Sequence, residues 1–131
     1  MNKICTSLEQ SKKLMELGVD VDTADMIYQP TMDIDSMSNV GFVKTPLCFP
    51  FNEVKECNIQ YLPAWSLNSL LSIIKNRKDC NKVDFFSNYA SKWVLTTTYY
   101  NSVWKEKEII AEDSIDAAFE MVIWLKENDK I

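Results

Sequence analysis

The sequence predicts an α+β protein, an antiparallel β-meander with about three helices packed mainly on one face. Three segments rich in β-branched and aromatic residues follow one another between residues 83 and 110. Segments with the spacing of amphipathic helices precede them twice and follow them once. The length of 131 residues favours a single compact domain over residues 1–131, because two smaller domains would each have a marginal core.

The first predicted helix follows Thr6 and ends at Gly18. Thr6 and Glu9 match the capping box S/T-x-x-E, in which each side chain binds a backbone N–H of the first turn. Gly18 can end the helix in a left-handed turn. The alternation of valine and aspartate over residues 19–22 then predicts a short extended segment. The open alternative is that Asp22 or Thr23 caps another turn.

Residues 29–60 are predicted to be irregular, with at most an edge strand. Pro46 and Pro50 interrupt the apolar run VGFVKTPLCFPF, and proline cannot donate a hydrogen bond within a sheet. Apolar side chains in such a loop either fold back onto the core or are exposed to a partner. Phe49 and Phe51 are therefore candidate interaction residues.

A second helix is predicted to begin near the segment YLPAWS, residues 61–66. Pro63 suits its first turn, and Ser66 is an alternative N-cap. An apolar stripe with spacing i, i+3, i+4, i+7 follows, made of Leu67, Leu70, Leu71 and Ile74. Trp65 lies at the helix entry, where it either anchors the chain to the core or is exposed to a partner.

The segments VDFFSNY, KWVLTTTYY and VWKEKEII are predicted as three strands, the last two joined by a two-residue turn at Asn101-Ser102. In this register Thr97 faces Glu106, so that the lysine side faces the solvent and Glu106 and Glu108 lie on the more apolar face. Two such carboxylates could perform acid–base chemistry. The alternatives are an uncovered end of the sheet, or a register shifted by one residue, which would turn every side chain over.

The last helix is predicted to begin at Asp113 or Ser114. Its apolar residues cover more than half of the circumference, which predicts a deeply buried helix. They are Ile115, Ala117, Ala118, Phe119, Met121, Val122, Trp124 and Leu125. Ile123 alone falls in the polar stripe, and it is a candidate contact residue, including in a homodimer.

The composition excludes several classes of protein. The chain has no histidine, the usual general base and the commonest transition-metal ligand. It has only two glycines, so it lacks a phosphate-binding glycine loop and a dinucleotide fingerprint. A net charge of -5 and a single arginine, Arg77, argue against nucleic-acid binding, because contact with phosphates needs clustered Lys and Arg.

A cytoplasmic location without membrane contact is expected. The longest apolar run, AAFEMVIWL, is far shorter than a membrane span, and the N-terminus lacks the apolar stretch of a signal peptide. Cys5, Cys48, Cys57 and Cys80 lack CxxC spacing and are expected to be free thiols. No metal site and no cofactor are predicted, because zinc would need four cysteines from remote segments.

Three segments together resemble a known group of small proteins: residues 5–26, with a TADM stretch, residues 62–67, LPAWSL, and residues 116–128, with AAFEM followed by WL. The group occurs in gut Bacteroidales and Firmicutes genomes, often within prophages and mobile elements. It has no established activity, so the resemblance transfers no functional residues. It implies a bacterial or phage protein that acts by binding.

The favoured hypothesis is a non-catalytic protein–protein interaction module of phage or mobile-element type, able to modulate a host or defence protein. Its acidic charge would favour a basic protein partner. The alternative is a small carboxylate-based enzyme or a ligand- or cation-binding domain, with Glu106 and Glu108 as its acidic groups. The oligomeric state is left open.

A second acidic group, Asp20, Asp22 and Asp25, belongs to the same alternative. Its spacing is similar to the start of a calcium-binding loop. Ala24 and the absence of a following glycine break the EF-hand pattern D-x-[DN]-x-[DN]-G. The pattern therefore gives these carboxylates no specific cation.

Overall fold

The computed structural model describes residues 3–31, 41–77, 80 and 82–131, with the side chain of Asn101 left out. The helices are α1 (Leu8–Glu16), α2 (Leu67–Lys75) and α3 (Ser114–Glu127). The strands are β1 (Met26–Tyr28), β2 (Leu62–Ala64), β3 (Val83–Ser87), β4 (Trp93–Asn101) and β5 (Val103–Ala111). Strands β1 and β2 form one antiparallel pair, and β3, β4 and β5 form an antiparallel meander. The predicted α+β class with an antiparallel meander is confirmed.

The described residues group into two compact units. The N-terminal unit is Cys5–Ser66, with α1, β1 and β2, and the C-terminal unit is Leu67–Ile131 together with Lys3 and Ile4. The single domain over residues 1–131 stays a prediction.

Helix α1 is capped one residue later than predicted. The Ser7 hydroxyl accepts a hydrogen bond from the Gln10 N–H (3.1 Å), and the Gln10 side chain accepts one from the Ser7 N–H (3.0 Å). Thr6 is instead fully buried and accepts a hydrogen bond from the Trp65 N–H (3.1 Å). The capping box at Thr6 and Glu9 is therefore wrong, because a tertiary contact uses the Thr6 hydroxyl. Gly18, with φ of 82°, ends the helix as predicted.

The segment between α1 and β1 forms a turn of 3-10 helix, Val21–Thr23, rather than an extended strand. The alternative, another turn, is what the structure has, but its cap is Asp20, whose carboxylate accepts a hydrogen bond from the Asp22 N–H (3.0 Å), and not Asp22 or Thr23. Residues 41–60 contain a second 3-10 turn, Phe51–Glu53, and none of the five strands.

Pro63 lies in a strand and not in the first turn of a helix. It pairs with Ile27 in the short β1–β2 sheet, and α2 begins only at Leu67. Proline is tolerated there because the Ile27 N–H and carbonyl bond to Leu47 on the other side of β1, so the pair of Ile27 with Pro63 needs no N–H from the proline. The predicted position of Pro63 in α2 is therefore wrong. Ser66, the alternative cap, directly precedes the helix.

The core of the N-terminal unit contains two buried groups that can ionise. The Tyr28 hydroxyl donates to the Thr6 carbonyl (2.8 Å) and lies 3.6 Å from the Cys5 sulfur. Burial raises the pKa of the Cys5 thiol and of the Tyr28 phenol. The native structure therefore favours the neutral form of both groups.

In the C-terminal unit, α3 packs against β4 and β5, and α2 packs against α3. The side chains that α3 buries all belong to the predicted apolar arc: Ile115, Ala117, Ala118, Met121, Val122 and Leu125. The helix begins with Asp113 as its N-cap, accepting a hydrogen bond from the Ile115 N–H (2.8 Å). The boundary and the buried face predicted for this helix agree with the structure.

Arg77 joins the end of α2 to β4. Its guanidinium is buried and donates from Nε to the Ile74 carbonyl (2.9 Å). It also donates to the Thr97 hydroxyl (2.6 Å) and to the Thr98 carbonyl (2.7 Å). A planar guanidinium can serve these three acceptors at once, which an ammonium group on a single chain end cannot do in the same geometry.

The register of β4 with β5 differs from the prediction by one residue. Thr97 lies opposite Lys107, and Thr96 lies opposite Glu108. The strands turn at Ser102 alone, which has φ of 65°, instead of at a two-residue turn. The predicted register is therefore wrong, and its alternative, a shift by one residue, is what the structure has. As a result, the glutamates and the lysines of β5 exchange faces.

Replacement of Arg77 by lysine should destabilise the protein. Arg77→Lys keeps the charge but loses at least one buried, charge-assisted hydrogen bond, so we expect the free energy of unfolding to fall by about 2–4 kcal/mol. Urea unfolding measures this change. Lys75→Gln, at the exposed last residue of α2, should change it by less than about 0.5 kcal/mol. Equal losses in both variants would contradict the role of Arg77.

Alkaline pH should destabilise the N-terminal unit. The ordinary pKa values of Cys5 and Tyr28 are 9.0 and 10.0, and both are raised in the folded protein. Their contribution is therefore complete below about pH 9 and is lost as the pH rises through these values towards the folded-state pKa. The free energy of unfolding under reducing conditions should be lower at pH 10 than at pH 8.

The variant Cys5→Ala with Tyr28→Phe should show a smaller loss between these two pH values. Tyr89→Phe serves as the control, since Tyr89 is fully exposed. It should lose as much as the wild type. The same pH dependence in all three proteins would show that the buried pair does not contribute.

The turn at Ser102 should respond to residues that differ in their tolerance of positive φ. Ser102→Gly should raise the free energy of unfolding by about 0.5 kcal/mol, because glycine adopts this conformation without the steric cost of a Cβ. Ser102→Val should lower it by about 1 kcal/mol or more. Thermal unfolding compares the three proteins. A valine variant as stable as the glycine variant would contradict the turn.

Candidate functional site

One face of the meander is covered by helix α3. Leu95 and Thr97 on this face are fully buried. Tyr99 contacts Trp124 of α3 edge to face, with ring centroids 5.1 Å apart. The Lys107 ammonium lies over the same tryptophan ring, 5.2 Å from its centroid. The lysine side of β5 is thus the covered side, which corrects the prediction that it faces the solvent.

The other face of the meander, called the open face below, alternates with the covered one along each strand. It consists of Lys82, Asp84 and Phe86, of Val94, Thr96, Thr98 and Tyr100, and of Trp104, Glu106, Glu108 and Ile110. Lys82 directly precedes β3, and its carbonyl accepts a hydrogen bond from the Thr98 N–H (3.2 Å). Four rows of side chains therefore cross the strands.

An apolar row lies at one end of the open face. Phe86, Val94 and Ile110 are directly opposite one another across the three strands. Val94 on the central strand is buried, whereas Phe86 and Ile110 are each 51% exposed. Both flanking side chains therefore remain available to a partner.

An aromatic row lies at the other end. Tyr100 and Trp104 are directly opposite, and their rings meet edge to face with centroids 5.6 Å apart. Such a pair is held in place by its own contact. Tyr100 is 52% exposed and Trp104 is 54% exposed. The pair presents a preformed aromatic surface.

The two middle rows are acidic. Asp84 and Glu108 flank Thr96, and Lys82 and Glu106 flank Thr98. The Lys82 ammonium lies 3.0 Å from the Asp84 carboxylate. This hydrogen bond, with the charges of Asp84 and Glu106, raises the pKa of Lys82. The rows therefore carry three carboxylates and one ammonium group, which already has a partner.

Glu106 and Glu108 lie on the open face and not on the apolar, covered face. Both are exposed, and within the described part of the chain neither forms an ion pair. Acid–base catalysis by a carboxylate depends on burial or a close charged partner to tune it. Two solvated carboxylates on a strand are suited instead to attract a basic group.

The three aspartates near β1 do not converge. Asp22 forms an ion pair with Lys55 (2.7 Å), and Asp20 caps the 3-10 turn. Asp25 accepts hydrogen bonds from the Ser66 N–H (2.9 Å) and from the Ser66 hydroxyl. Each carboxylate thus has a structural partner of its own. Among residues 3–31, 41–77, 80 and 82–131, no cluster of three or more candidate ligands could hold a metal ion.

Four further residues are candidates from the sequence. Trp65 has no exposed area, and its indole N–H donates to the Thr23 hydroxyl (2.9 Å). It therefore anchors the chain to the core, and the alternative prediction, that Trp65 is exposed to a partner, is wrong. Phe51 is buried as well. Phe49 is 40% exposed, and Ile123 is half-buried. Only Phe49 is thus well exposed among them.

The N-terminal unit carries a shallow concave region. One cavity of about 400 Å³ is lined by Phe51, Val54, Ile59 and Tyr61, among others. A neighbouring cavity of about 440 Å³ shares Ile59 and Tyr61 with it. Lys55, which also lines the first cavity, is held in its ion pair with Asp22. Polar side chains contribute to both linings: Lys55, Gln60 and Tyr61 to the first cavity, and Gln29, Thr31 and Tyr61 to the second.

The cysteines are free thiols: Cys5 is buried, Cys80 is half-buried, and Cys48 and Cys57 are exposed. None of the helices in the described residues combines the length and apolar character that crossing a membrane requires.

Sequence reasoning missed the exposed apolar residues of the open face, namely Phe86, Tyr100, Trp104 and Ile110. The signal that could have found them is the alternation along β4 and β5, read with a turn at Ser102 alone. In that register Tyr100 pairs with Trp104 and Val94 pairs with Ile110. The four residues then fall on the same side as the glutamates.

Comparison of the chain with family models, with curated proteins and with solved structures gave no match.

Proposed function

We propose that the chain is a non-catalytic protein–protein interaction module and that the open face of its meander is the docking surface. One observation carries this proposal: four large apolar side chains, each about half exposed, lie on a single sheet face. Singly exposed apolar residues are ordinary, but these lie in two groups, one at each end of the face, and grouped exposed apolar side chains mark an interaction surface. Tryptophan and tyrosine are also the residues that contribute most to protein interfaces.

The charge of the open face favours a basic partner. Glu106 and Glu108 project between the apolar row and the aromatic row, and the whole chain has a net charge of -5. Complementary charge speeds association and rejects wrong partners. The same carboxylates repel nucleic-acid phosphates and anionic lipid headgroups. A protein with exposed lysine or arginine residues is therefore the partner that this surface fits.

The charges on β5 disfavour pairing of two copies through this strand. Lys105, Glu106, Lys107 and Glu108 alternate along it, and within residues 3–31, 41–77, 80 and 82–131 it pairs with β4 only. If two copies paired antiparallel through β5 about a two-fold axis, the residue at the axis would lie opposite the same residue of the other copy. When the axis is at any of these four residues, lysine therefore lies opposite lysine or glutamate opposite glutamate, which is unfavourable. This supports a different protein as the partner.

The resemblance to proteins of prophages and mobile elements supports a setting for this activity. In that setting the chain acts in the bacterial cytoplasm and modulates a host or defence protein by occupying its surface. Modulation by binding alone needs no catalytic groups, which agrees with a chain that contains no histidine.

Affinity capture from bacterial lysates tests the proposal with three versions of the chain. The open-face variant carries Trp104→Ser and Ile110→Ser. The control variant carries Phe49→Ser and Ile59→Ser, which removes two exposed apolar side chains from the N-terminal unit. We expect a protein retained by the wild type and by the control variant to be lost from the open-face variant.

Unfolding measurements accompany the capture. Loss of the Tyr100–Trp104 contact should lower the free energy of unfolding by about 0.5–1.5 kcal/mol, and each of the other substitutions should change it by about 0.5 kcal/mol. Retention by the folded open-face variant, or loss from the control variant alone, would contradict the proposal. Background proteins only, across lysates of several hosts, would also count against it.

A further inference from the structure

The four rows of the open face are ordered along the strands. Val94 and Tyr100 are six residues apart on β4, and Ile110 and Trp104 are six residues apart on β5. At about 3.3 Å per residue, the apolar row and the aromatic row are roughly 20 Å apart. The acidic rows fill the interval between them. A partner that contacts both ends must therefore cross the carboxylates.

We infer that the open face recognises one continuous partner segment with an apolar residue at each end and lysine or arginine residues between them. This inference rests on the proposed function and specifies the partner's chemistry. The apolar end residues would contact the Phe86–Ile110 row and the Tyr100–Trp104 pair. The basic residues would meet Glu106 and Glu108.

An apolar segment without charges would fit this surface poorly. It would remove Glu106 and Glu108 from water without giving either carboxylate a partner, and an unpaired desolvated charge is costly. A basic segment without apolar ends would leave the exposed rings uncovered. The surface is therefore complementary to the mixed pattern and to neither of its parts alone.

The length of the face sets the spacing within the partner segment. An extended segment would span the two ends if its apolar residues were six positions apart. Basic residues two and four positions after the first apolar residue would then lie opposite the two acidic rows. A helix, which rises about 1.5 Å per residue, would need roughly 13 positions for the same span. Either spacing places the basic residues inside the apolar pair.

Selection from a displayed library of random peptides, each about 16 residues long, tests this inference. The immobilised wild-type chain should enrich peptides with Lys or Arg between two apolar positions at one of these spacings. The charge-reversal variant, Glu106→Lys with Glu108→Lys, should bind those peptides at least about tenfold more weakly. It should itself enrich Asp or Glu at the same positions.

A second control, the charge control, reverses two exposed glutamates of the N-terminal unit, Glu53→Lys with Glu56→Lys. It changes the net charge by the same amount as the charge-reversal variant. It should select the wild-type pattern. Enrichment without basic residues inside the apolar pair, the same peptides from the charge-reversal variant, or no enrichment at all would overturn the inference. A lysate protein lost specifically from the open-face variant would leave the proposed function standing in each of these cases.

Discussion

The pairing of β4 with β5 around Ser102 decides what each face of the meander presents. Side chains alternate along a strand, so a shift of one residue exchanges the two faces completely. With Thr97 opposite Lys107, Lys107 lies against Trp124 of α3, and Glu106 and Glu108 lie in solvent on the side of Trp104. The composition of the open face, its acidic character and the proposed partner all follow from this single register.

The rest of the C-terminal unit holds the meander so that one face stays open. Helix α3 covers the side with Leu95 and Tyr99, and the buried guanidinium of Arg77 joins α2 to β4. On the opposite side, Phe86, Tyr100, Trp104 and Ile110 each remain about half exposed. A rigid sheet with preformed aromatic contacts loses little conformational entropy on binding, which suits a docking surface.

The sequence predicts those elements whose signals are local. The apolar arc of α3, the three strands of the meander and the end of α1 at Gly18 follow from periodicity and from the conformational freedom of glycine. The cap of α1 and the place of Pro63 depend on distant contacts, between Thr6 and Trp65 and between β1 and β2. The register depends on one serine that adopts positive φ, which serine rarely does.

Nuclear magnetic resonance contacts between backbone protons of β4 and β5 measure this register. We expect cross-strand contacts that pair Thr97 with Lys107, Thr98 with Glu106 and Tyr100 with Trp104. Contacts that pair Thr97 with Glu106 and Tyr99 with Trp104 would contradict it. In that register the glutamates would lie beneath α3, and the acidic, aromatic surface described above would not exist.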